Sequence, residues 1–380
     1  MNVYVNDIAA FLPNEAVGND QIENIIGKIN NIPSKIKKRI LESNKIVQRY
    51  YAIDPATGGF THTNALLTAE AVRRLRPYEG FSPAHIRCLC CGTTIGDVMA
   101  PGHGLMVHGE LKTPPCEVIS TAGLCLSGMA AFKYAFMNVA LGLSENAVAT
   151  ASELVSSMIR SQFFAHLSDN SDNKRGHIPA FEAEFLRWML SDGAGAAFLS
   201  GKKNADRLSL RVDWIEHLSY AGQYEVCMYA GAHKHDDGSV TGWRELESLS
   251  LALDNNYFAL KQDTALLNQE IVRVAVEMAL AQIVEKKGLQ AEAVDWFLPH
   301  YSSDFFRERL FKAMEEIGFA IPYEKWFTNL AYKGNTGSAS IYIILEELFH
   351  SGKLEKGQKL LCFIPESGRF SMAYMHLTVV

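Results

Sequence analysis

The sequence predicts an α/β protein that is built from two related halves. Two observations lead to this prediction: strand patterns alternate with helix patterns along the 380 residues, and one order of elements occurs twice. In each half a strand precedes a small-residue turn that leads into a helix, and a later Gly-containing turn leads into another strand. Alternating strands and helices form layers, so two such halves predict two related sheets packed together.

The individual elements support this division. The first half holds a strand at 86–91, a turn and helix at 123–136 and a strand at 192–199, and the second half repeats this order at 296–298, 334–348 and 366–373. Between the halves, the segment 269–283 places its apolar residues on one helical stripe. The stretches 163–189 and 220–263 fit neither half, and we interpret them as insertions of the kind that shape or cover a pocket.

Composition and charge exclude several classes of protein. A chain with 48% hydrophobic and 21% charged residues can bury a large core, and its net charge of −6 argues against nucleic acid as a partner. Two basic clusters, at 35–39 and 307–312, are interpreted either as contacts for an acidic protein or as solvated helix faces. No apolar run reaches the roughly 18 residues of a membrane span, and the first residues lack a signal-peptide pattern. The expected location is therefore the cytoplasm.

Cys125 is the strongest candidate for a reactive group. It follows the small-residue turn at 120–124 and precedes a predicted helix, so unpaired backbone N–H groups and the helix dipole are expected to favour its thiolate. The other cysteines lack this setting, and the thiols at 88–91 fall in a predicted buried strand. An odd number of seven cysteines does not suggest a disulfide framework.

Two further polar residues stand at the ends of predicted core elements. His300 follows the apolar run that ends at Pro299, and Asn335 lies in the turn 334–338 that begins another helix. Cysteine, histidine and asparagine in such positions suggest covalent thioester chemistry, and the alternative is a buried cysteine with unrelated polar neighbours. The pairs His103/His108 and His233/His235 lack companion ligands at metal spacing, so no metal site is predicted.

Four segments together resemble the type III β-ketoacyl synthases, which have the thiolase fold. These segments are 121–128 around Cys125, Ser191 to Ala196, Leu298 to His300, and Lys333 to Ser340. Their order and spacing match that family over nearly the whole chain. The resemblance implies two pseudo-symmetric halves in a five-layered αβαβα sandwich, at 1–205 (with an insertion near 160–190) and 206–380.

The resemblance also implies a role for each site residue. Cys125 would take an acyl group from a thioester, and His300 and Asn335 would stabilise the enolate of the second substrate. The backbone N–H groups of Cys125 and Gly368 would form the oxyanion hole. No cofactor would be bound, because the acyl groups arrive as phosphopantetheine thioesters on an acyl carrier protein or on coenzyme A. A homodimer is expected, because in the family the stretch that matches 94–108 lies near the dimer contact.

The sequence departs from the common family pattern at two points. Tyr301-Ser302-Ser303 replaces the usual Gln-Ala-Asn after the histidine, and Ser43 stands where the family has an Arg that holds coenzyme A. Both changes favour delivery by carrier protein over coenzyme A. Arg369 replaces a small residue beside Gly368, and it either contacts a carboxylate or the phosphopantetheine, or braces the turn.

Further short sequence segments resemble the DarB/StlD group of ketosynthases, which make precursors of dialkylresorcinols and stilbenes. These segments lie at 49–52, 297–303, 325–330 and 363–370. The resemblance implies that two acyl thioesters, one of them β-ketoacyl, are joined and closed to a 2,5-disubstituted cyclohexane-1,3-dione. This chemistry needs a general base, because no decarboxylation generates the carbanion. Glu153, after a predicted core strand, is the candidate base, and a structural hydrogen bond is its other interpretation.

Two other functions fit the same residues. An acyltransferase would move the acyl group from Cys125 to an alcohol or amine, since carbon and oxygen nucleophiles differ only in what occupies the pocket. A non-catalytic subunit of a heteromeric synthase is the third interpretation. The presence of Cys125, His300 and Asn335 together argues against it.

Overall fold

The computed structural model describes residues 1–167 and 180–380, with side chains at 1–164 and 184–380. Its strands are β1 (Tyr4–Phe11), β2 (Val17–Gly18), β3 (Gln48–Arg49), β4 (Cys88–Thr93), β5 (Glu117–Ala122), β6 (Asn146–Glu153), β7 (Gly193–Ser200), β8 (Leu210–Ser219), β9 (Met228–Tyr229), β10 (Ala232–Lys234), β11 (Val240–Gly242), β12 (Lys261–Gln262), β13 (Trp296–Pro299), β14 (Lys359–Glu366) and β15 (Ser371–Val379).

The helices are α1 (Ile22–Ile26), α2 (Lys37–Asn44), α3 (Asn64–Arg73), α4 (His103–Leu111), α5 (Ser127–Ala140), α6 (Ser156–Ile159), α7 (Ala180–Arg187), α8 (Leu249–Asp254), α9 (Thr264–Val272), α10 (Ala281–Lys287), α11 (Arg307–Glu316), α12 (Leu330–Lys333) and α13 (Ser340–His350). A π-helical segment, Arg273–Leu280, joins α9 to α10, so the helix predicted at 269–283 is present but not α-helical throughout. Within the described ranges, no helix is long and apolar enough to cross a membrane.

One nine-stranded sheet, in the order β13-β14-β15-β8-β1-β7-β6-β4-β5, contains both predicted halves. In one part β1, β7 and β6 pair antiparallel and β6 continues parallel to β4 and β5. In the other part β8, β15 and β14 pair antiparallel and β14 continues parallel to β13. The two parts therefore repeat one pattern, and they meet where Tyr4 and Val5 of β1 pair with Arg211 and Leu210 of β8.

Three hydrophobic clusters separate the layers. Helices α3 and α4 cover one face of the first part through Leu67, Val72 and Val107. Helices α5 and α13 lie between the two parts of the sheet and bury Phe132 and Ile343 against both. Helices α9 to α11 cover the outer face of the second part. The order is helix, sheet, helix, sheet, helix, which confirms the predicted five-layered α/β sandwich.

The two predicted insertions have different outcomes. The polar stretch 168–176 lies outside the described residues, and the helix predicted to follow it is α7. The stretch 220–263 forms α8 and two short antiparallel pairs, β10–β11 and β9–β12. The predicted boundary between residues 205 and 206 falls in the connection from β7 to β8, and the division at that residue stays a prediction.

Candidate active site

Five polar residues stand at the ends of sheet strands or at the starts of the two central helices. Cys125 lies in the turn between β5 and α5, and Asn335 lies in the turn before α13. His300 directly follows β13, while Glu153 and Glu366 are the last residues of β6 and β14. Ends of parallel strands meet at one edge of a sheet, which is where α/β proteins build their sites.

Cys125 and His300 line the same pocket. Its empty space is about 500 Å³, part of which is open to solvent. The remaining lining is mostly apolar and comes from the α9–π segment, from α11 with the residue before it, and from β14: Leu267, Ile271, Val272, Ala275, Phe306, Leu310, Phe363 and Pro365. Polar groups are few, from Tyr301, Ser302 and Ser367. Such a pocket suits an apolar chain that presents one reactive carbonyl to the thiol.

The expectation that the helix start favours the Cys125 thiolate is wrong for this structure. Burial raises the pKa of the Cys125 thiol, and the carboxylates of Glu366 and Glu153 raise it further. Helix α5 begins only at Ser127, and the N–H groups of Leu124 and Leu126 donate to Glu366 Oε2 at 3.0 and 2.9 Å. Cys125 is therefore a neutral thiol near pH 7, and it must lose its proton as it attacks.

His300 is a buried, neutral imidazole. Its backbone N–H donates to the carbonyl oxygen of Phe363 at 2.8 Å, which fixes it to β14. Burial lowers the pKa of the His300 side chain to about 4. A neutral ring can accept a proton from the thiol through one nitrogen, or donate a hydrogen bond to a carbonyl oxygen through the other.

The side chain of Asn335 is buried, and Asn335 is not among the residues that line the pocket with Cys125 and His300. Its backbone N–H donates to Met189 O at 3.0 Å, and its carbonyl oxygen accepts from Ser191 N at 2.9 Å. Its side-chain Oδ1 accepts from the N–H of Gly337 at 3.0 Å. The amide oxygen is thus used within its own turn, which leaves the NH₂ group as the part available to a substrate oxygen.

Glu153 is buried and accepts four hydrogen bonds at one oxygen. Its Oε1 receives the hydroxyls of Thr94 at 2.7 Å and Ser338 at 2.6 Å, and their backbone N–H groups at 3.2 Å each. Burial outweighs these donors and raises the pKa of Glu153 to about 7. A carboxyl group with this pKa is half ionised at neutral pH, which is compatible with a general base. The four hydrogen bonds correspond to its other predicted role, a structural hydrogen bond, and Glu153 is not part of the lining that contains Cys125 and His300.

The turn that follows β14 contains Gly368 and Arg369. A Cβ at Gly368 would lie 2.8 Å from Leu124 Cδ1, so the turn approaches the Cys125 turn closely and a larger residue would displace the Leu124 side chain. Arg369 is exposed, and its Nε donates to the backbone oxygen of Tyr224 at 2.7 Å. This contact corresponds to the second interpretation of Arg369, a brace of the turn.

The stretch 220–263 also supports this turn. The N–H of Cys227 donates to Gly368 O, and the N–H of Tyr220 donates to Phe370 O, both at 2.9 Å. Ser367, which lines the pocket, donates to Gln262 Oε1 at 3.2 Å. An insertion predicted to shape or cover a pocket therefore fixes the backbone beside it.

Sequence reasoning assigned no role to Glu366. The available signal was an acidic residue at the end of a strand, directly before the turn with the predicted oxyanion donor. Its partners lie about 240 residues earlier in the chain, so sequence spacing alone could not identify them.

The histidine pairs do not form a metal site in the described part of the chain. No group of three or more His, Cys, Asp or Glu side chains suited to a metal occurs there. His103 Nε2 lies 3.1 Å from Ser152 Oγ, and the rings of His233 and His235 contact each other edge to face.

Comparisons with known proteins agree with this fold. The family 3-oxoacyl-(acyl-carrier-protein) synthase III C terminal matches residues 284–365, which include His300 and Asn335. The β-ketoacyl-(acyl-carrier-protein) synthase III of Allorhizobium ampelinum is 22% identical over 361 residues, 94% of this chain and 93% of that protein. The same enzyme of Clostridium novyi is 23% identical over 367 residues, 95% and 94% of the two chains.

Solved structures match over essentially the full length. A tetronic acid condensing enzyme, AbyA1, has a TM-score of 0.75 at 17% identity and 99% coverage of both chains. Xanthomonas campestris OleA with bound lauric acid and lauroyl-CoA has a TM-score of 0.75 at 17% identity, covering 100% and 99%. The 3-oxoacyl-(acyl-carrier-protein) synthase III of Aquifex aeolicus has 0.69 at 19%, covering 99% of each. The chain has the thiolase fold, and its sequence is similar to β-ketoacyl synthase III over nearly its whole length.

Proposed function

We propose that this protein is an acyl-condensing transferase that joins two acyl thioesters through an acyl-Cys125 intermediate. The observation that carries the proposal is that Cys125 and His300 line one largely apolar pocket. Similarity to β-ketoacyl synthase III over nearly the whole chain supports the same class of reaction.

In the first step Cys125 Sγ attacks the carbonyl carbon of an acyl thioester. A new C–S bond forms, the C–S bond to the carrier breaks, and the thiol proton passes to the departing phosphopantetheine sulfur. The N–H groups of Cys125 and Gly368 donate to the tetrahedral oxyanion, and each donor contributes about 3 kcal/mol. Neutral His300 receives and returns the proton, because Cys125 does not begin as a thiolate.

In the second step a β-ketoacyl thioester loses a proton from C2. Glu153 is the proposed base, since its pKa of about 7 leaves it partly ionised at neutral pH. His300 and the Asn335 NH₂ group donate to the carbonyl oxygen and stabilise the enolate. The carbanion then adds to the β-carbon of an α,β-unsaturated acyl group on Cys125, and the neighbouring α-carbon takes up a proton. The γ-carbon of the β-ketoacyl chain next loses a proton and attacks the Cys125 thioester carbonyl, so that a second carbon–carbon bond closes the ring, the C–S bond to Cys125 breaks and the thiol regains its proton. Hydrolysis of the remaining thioester by water, which releases the carrier thiol, and loss of CO₂ leave a 2,5-disubstituted cyclohexane-1,3-dione. We propose this product as a precursor of dialkylresorcinols or stilbenes.

The acyl chains are proposed to be largely apolar and to be delivered by a carrier protein. The apolar lining from the α9–π segment and α11 supports the first part, as does the lauroyl group bound by OleA. The names of the related synthases support an acyl carrier protein as partner. The two basic clusters are less basic than their sequence suggests, because Lys37 pairs with Glu23 and Lys312 with Glu308.

A homodimer is proposed through the β5 edge of the sheet. β5 is the terminal strand of the nine, so one side of its backbone is open to another strand. The adjoining segment exposes four large apolar side chains, Ile95, Val98, Met99 and Leu105. A second copy of the chain that pairs at this edge would cover them.

The direct experiment is intact-protein mass spectrometry with a β-ketoacyl carrier protein and an α,β-unsaturated acyl carrier protein. An acyl adduct that Cys125→Ala abolishes, together with a cyclohexanedione product, is expected. Cys116→Ala is the matched control, because Cys116 is also partly exposed but does not line the pocket. An adduct without a carbon–carbon bonded product would instead indicate acyl transfer to an alcohol or amine. Absence of any adduct would overturn the proposal.

A further inference from the structure

One oxygen of Glu366 holds both sequence neighbours of Cys125. Oε2 accepts the N–H of Leu124 at 3.0 Å and the N–H of Leu126 at 2.9 Å. The N–H of Cys125, which stands between them, lowers the pKa of its own thiol against the larger effects that raise it. Glu366 therefore fixes the amides on either side of the reactive residue and leaves the Cys125 amide beside the reacting atom.

Glu366 also stands at the start of the turn that carries the second predicted oxyanion donor. It lies two residues before Gly368, and a Cβ at Gly368 would be 3.4 Å from Glu366 Oε1 and 2.8 Å from Leu124 Cδ1. From the other side, the N–H of Cys227 holds the Gly368 carbonyl oxygen at 2.9 Å. The carboxylate is thus in contact with both turns that carry the predicted donors.

Electrostatics argue against a role in forming the thiolate. A carboxylate at the helix start uses the N–H groups that would stabilise a negative sulfur, and it adds a like charge beside it. The ionisable groups around Cys125 are Glu366 from β14, Glu153 from β6, and His300 and Tyr301 after β13. Both carboxylates disfavour the thiolate and His300 is neutral, so the position of Glu366 needs another explanation.

We propose that Glu366 is a positioning residue that aligns the oxyanion hole by anchoring the Leu124 and Leu126 amides against the Gly368 turn. This inference rests on the proposed acylation of Cys125. By holding the residues on both sides of Cys125, the anchor sets the position from which the Cys125 N–H and the Gly368 N–H would donate to one thioester oxygen. The negative charge that accompanies it is tolerated because attack begins from the neutral thiol.

Two substitutions separate the anchor from the charge. In Glu366→Gln the side-chain carbonyl still accepts both N–H groups, but the charge is gone. We expect iodoacetamide to alkylate Cys125 about tenfold faster at pH 8, as for a pKa lowered by about one unit. Acyl-adduct formation should stay within a few-fold of wild type. In Glu366→Ala the anchor is lost, and acylation should slow by about a hundredfold or more.

Asp97→Asn is the matched control. Asp97 also accepts two consecutive backbone N–H groups, from Asn64 at 2.7 Å and Ala65 at 2.9 Å, at the start of α3. It is not among the charges that act on Cys125, so both rates should stay unchanged. Peptide mapping would follow the Cys125 peptide alone, and thermal melting would verify that each variant is folded.

Either of two results would overturn the inference: wild-type acylation in Glu366→Ala, or no increase in Cys125 alkylation in Glu366→Gln. A failure of the proposed function looks different. In that case the wild-type protein forms no acyl adduct, while the alkylation rates still report whether Glu366 acts on Cys125.

Discussion

The turn with Cys125 and the turn with Asn335 occupy matching positions in the two halves, and each is held by a carboxylate from the opposite half. Glu366, at the end of β14, accepts backbone N–H groups on either side of Cys125. Glu153, at the end of the corresponding strand β6, accepts the N–H and hydroxyl of Ser338 after Asn335. The exchange ties the start of each central helix to the other part of the sheet.

The two carboxylates differ in their donors, and this difference suggests different duties. Glu366 receives only backbone N–H groups, which cannot give up a proton and serve to fix geometry. Glu153 also receives the hydroxyls of Thr94 and Ser338, which can relay protons, and burial raises its pKa to about 7. We infer that the first carboxylate positions the nucleophile's turn and the second exchanges protons with the substrate.

The largest expected effects on the reaction come from substitutions of Cys125 and Asn335, which should affect different steps. Cys125→Ala should abolish the acyl adduct, because no other thiol lines the pocket within the described residues. Asn335→Ala should leave the adduct intact but lower carbon–carbon bond formation by about a hundredfold, since only the enolate loses a donor. Measuring adduct mass and product in the same reaction tests both. If Asn335→Ala lost the adduct as well, the division of duties between the turns would be wrong.

The role of Glu153 gives the next largest effect. Glu153→Gln should lower product formation by about a hundredfold or more and leave Cys125 acylation unchanged, because only the second step needs this base. A rate of condensation close to wild type would assign Glu153 to structure alone.

The pH dependence of condensation in Ser338→Ala is a second test of the role of Glu153. The Ser338 hydrogen bonds lower the pKa of Glu153, which burial has raised to about 7. Wild-type condensation should increase as pH rises through about 7, where Glu153 loses its proton. Without the Ser338 hydroxyl the pKa of Glu153 is higher, so the increase should move to higher pH. Thr328→Ala is a control, because Thr328 lies outside the Glu153 hydrogen bonds.

The buried titratable groups of the two halves should affect stability with opposite signs. Folding lowers the pKa of His300 from 6.5 to about 4. Between these two pH values the unfolded chain binds a proton at His300 and the folded protein does not, so stability is lost as pH falls from 6.5 towards 4. The pKa of Glu153 is raised to about 7 from 4.5, so its contribution falls as pH rises between those values. Each slope is at most about 1.4 kcal/mol per pH unit.

Denaturant unfolding at pH 4.5, 5.5 and 6.5 measures this difference. His300→Gln should be less sensitive to acid than wild type, and Glu153→Gln should lose less stability as pH rises. Parallel curves for wild type and both variants would contradict the assigned shifts.

Arg369 should give the smallest effect. Its visible contact is one hydrogen bond to Tyr224 O at the surface, so Arg369→Ala should change product formation by no more than about twofold and stability by about 1 kcal/mol or less. A tenfold loss of product with normal folding would instead favour contact with a substrate carboxylate or phosphopantetheine.

Local patterns were sufficient for the order of elements, because period and turn residues are local properties. The strand predicted at 86–91 is β4 at 88–93, and the helix predicted around 342–348 lies within α13. The positions of Cys125 and His300 at the ends of core elements were also predictable, and their catalytic roles stay predictions. The ionisation states of Cys125 and His300 were not predictable from local patterns, because they depend on burial and on carboxylates that other strands bring to the site. The anchor between Glu366 and the Cys125 turn joins residues about 240 positions apart, which no local pattern encodes.

In the proposed reaction, the acyl group on Cys125 becomes one part of a carbon–carbon bonded product. The most direct test is a single turnover: acylate the protein with one acyl carrier protein, remove the excess, and add a ¹³C-labelled β-ketoacyl carrier protein. We expect that the adduct mass disappears and that a cyclohexanedione contains both the unlabelled and the labelled chain. Release of the unlabelled chain as a free acid or ester, with no product containing both chains, would contradict it.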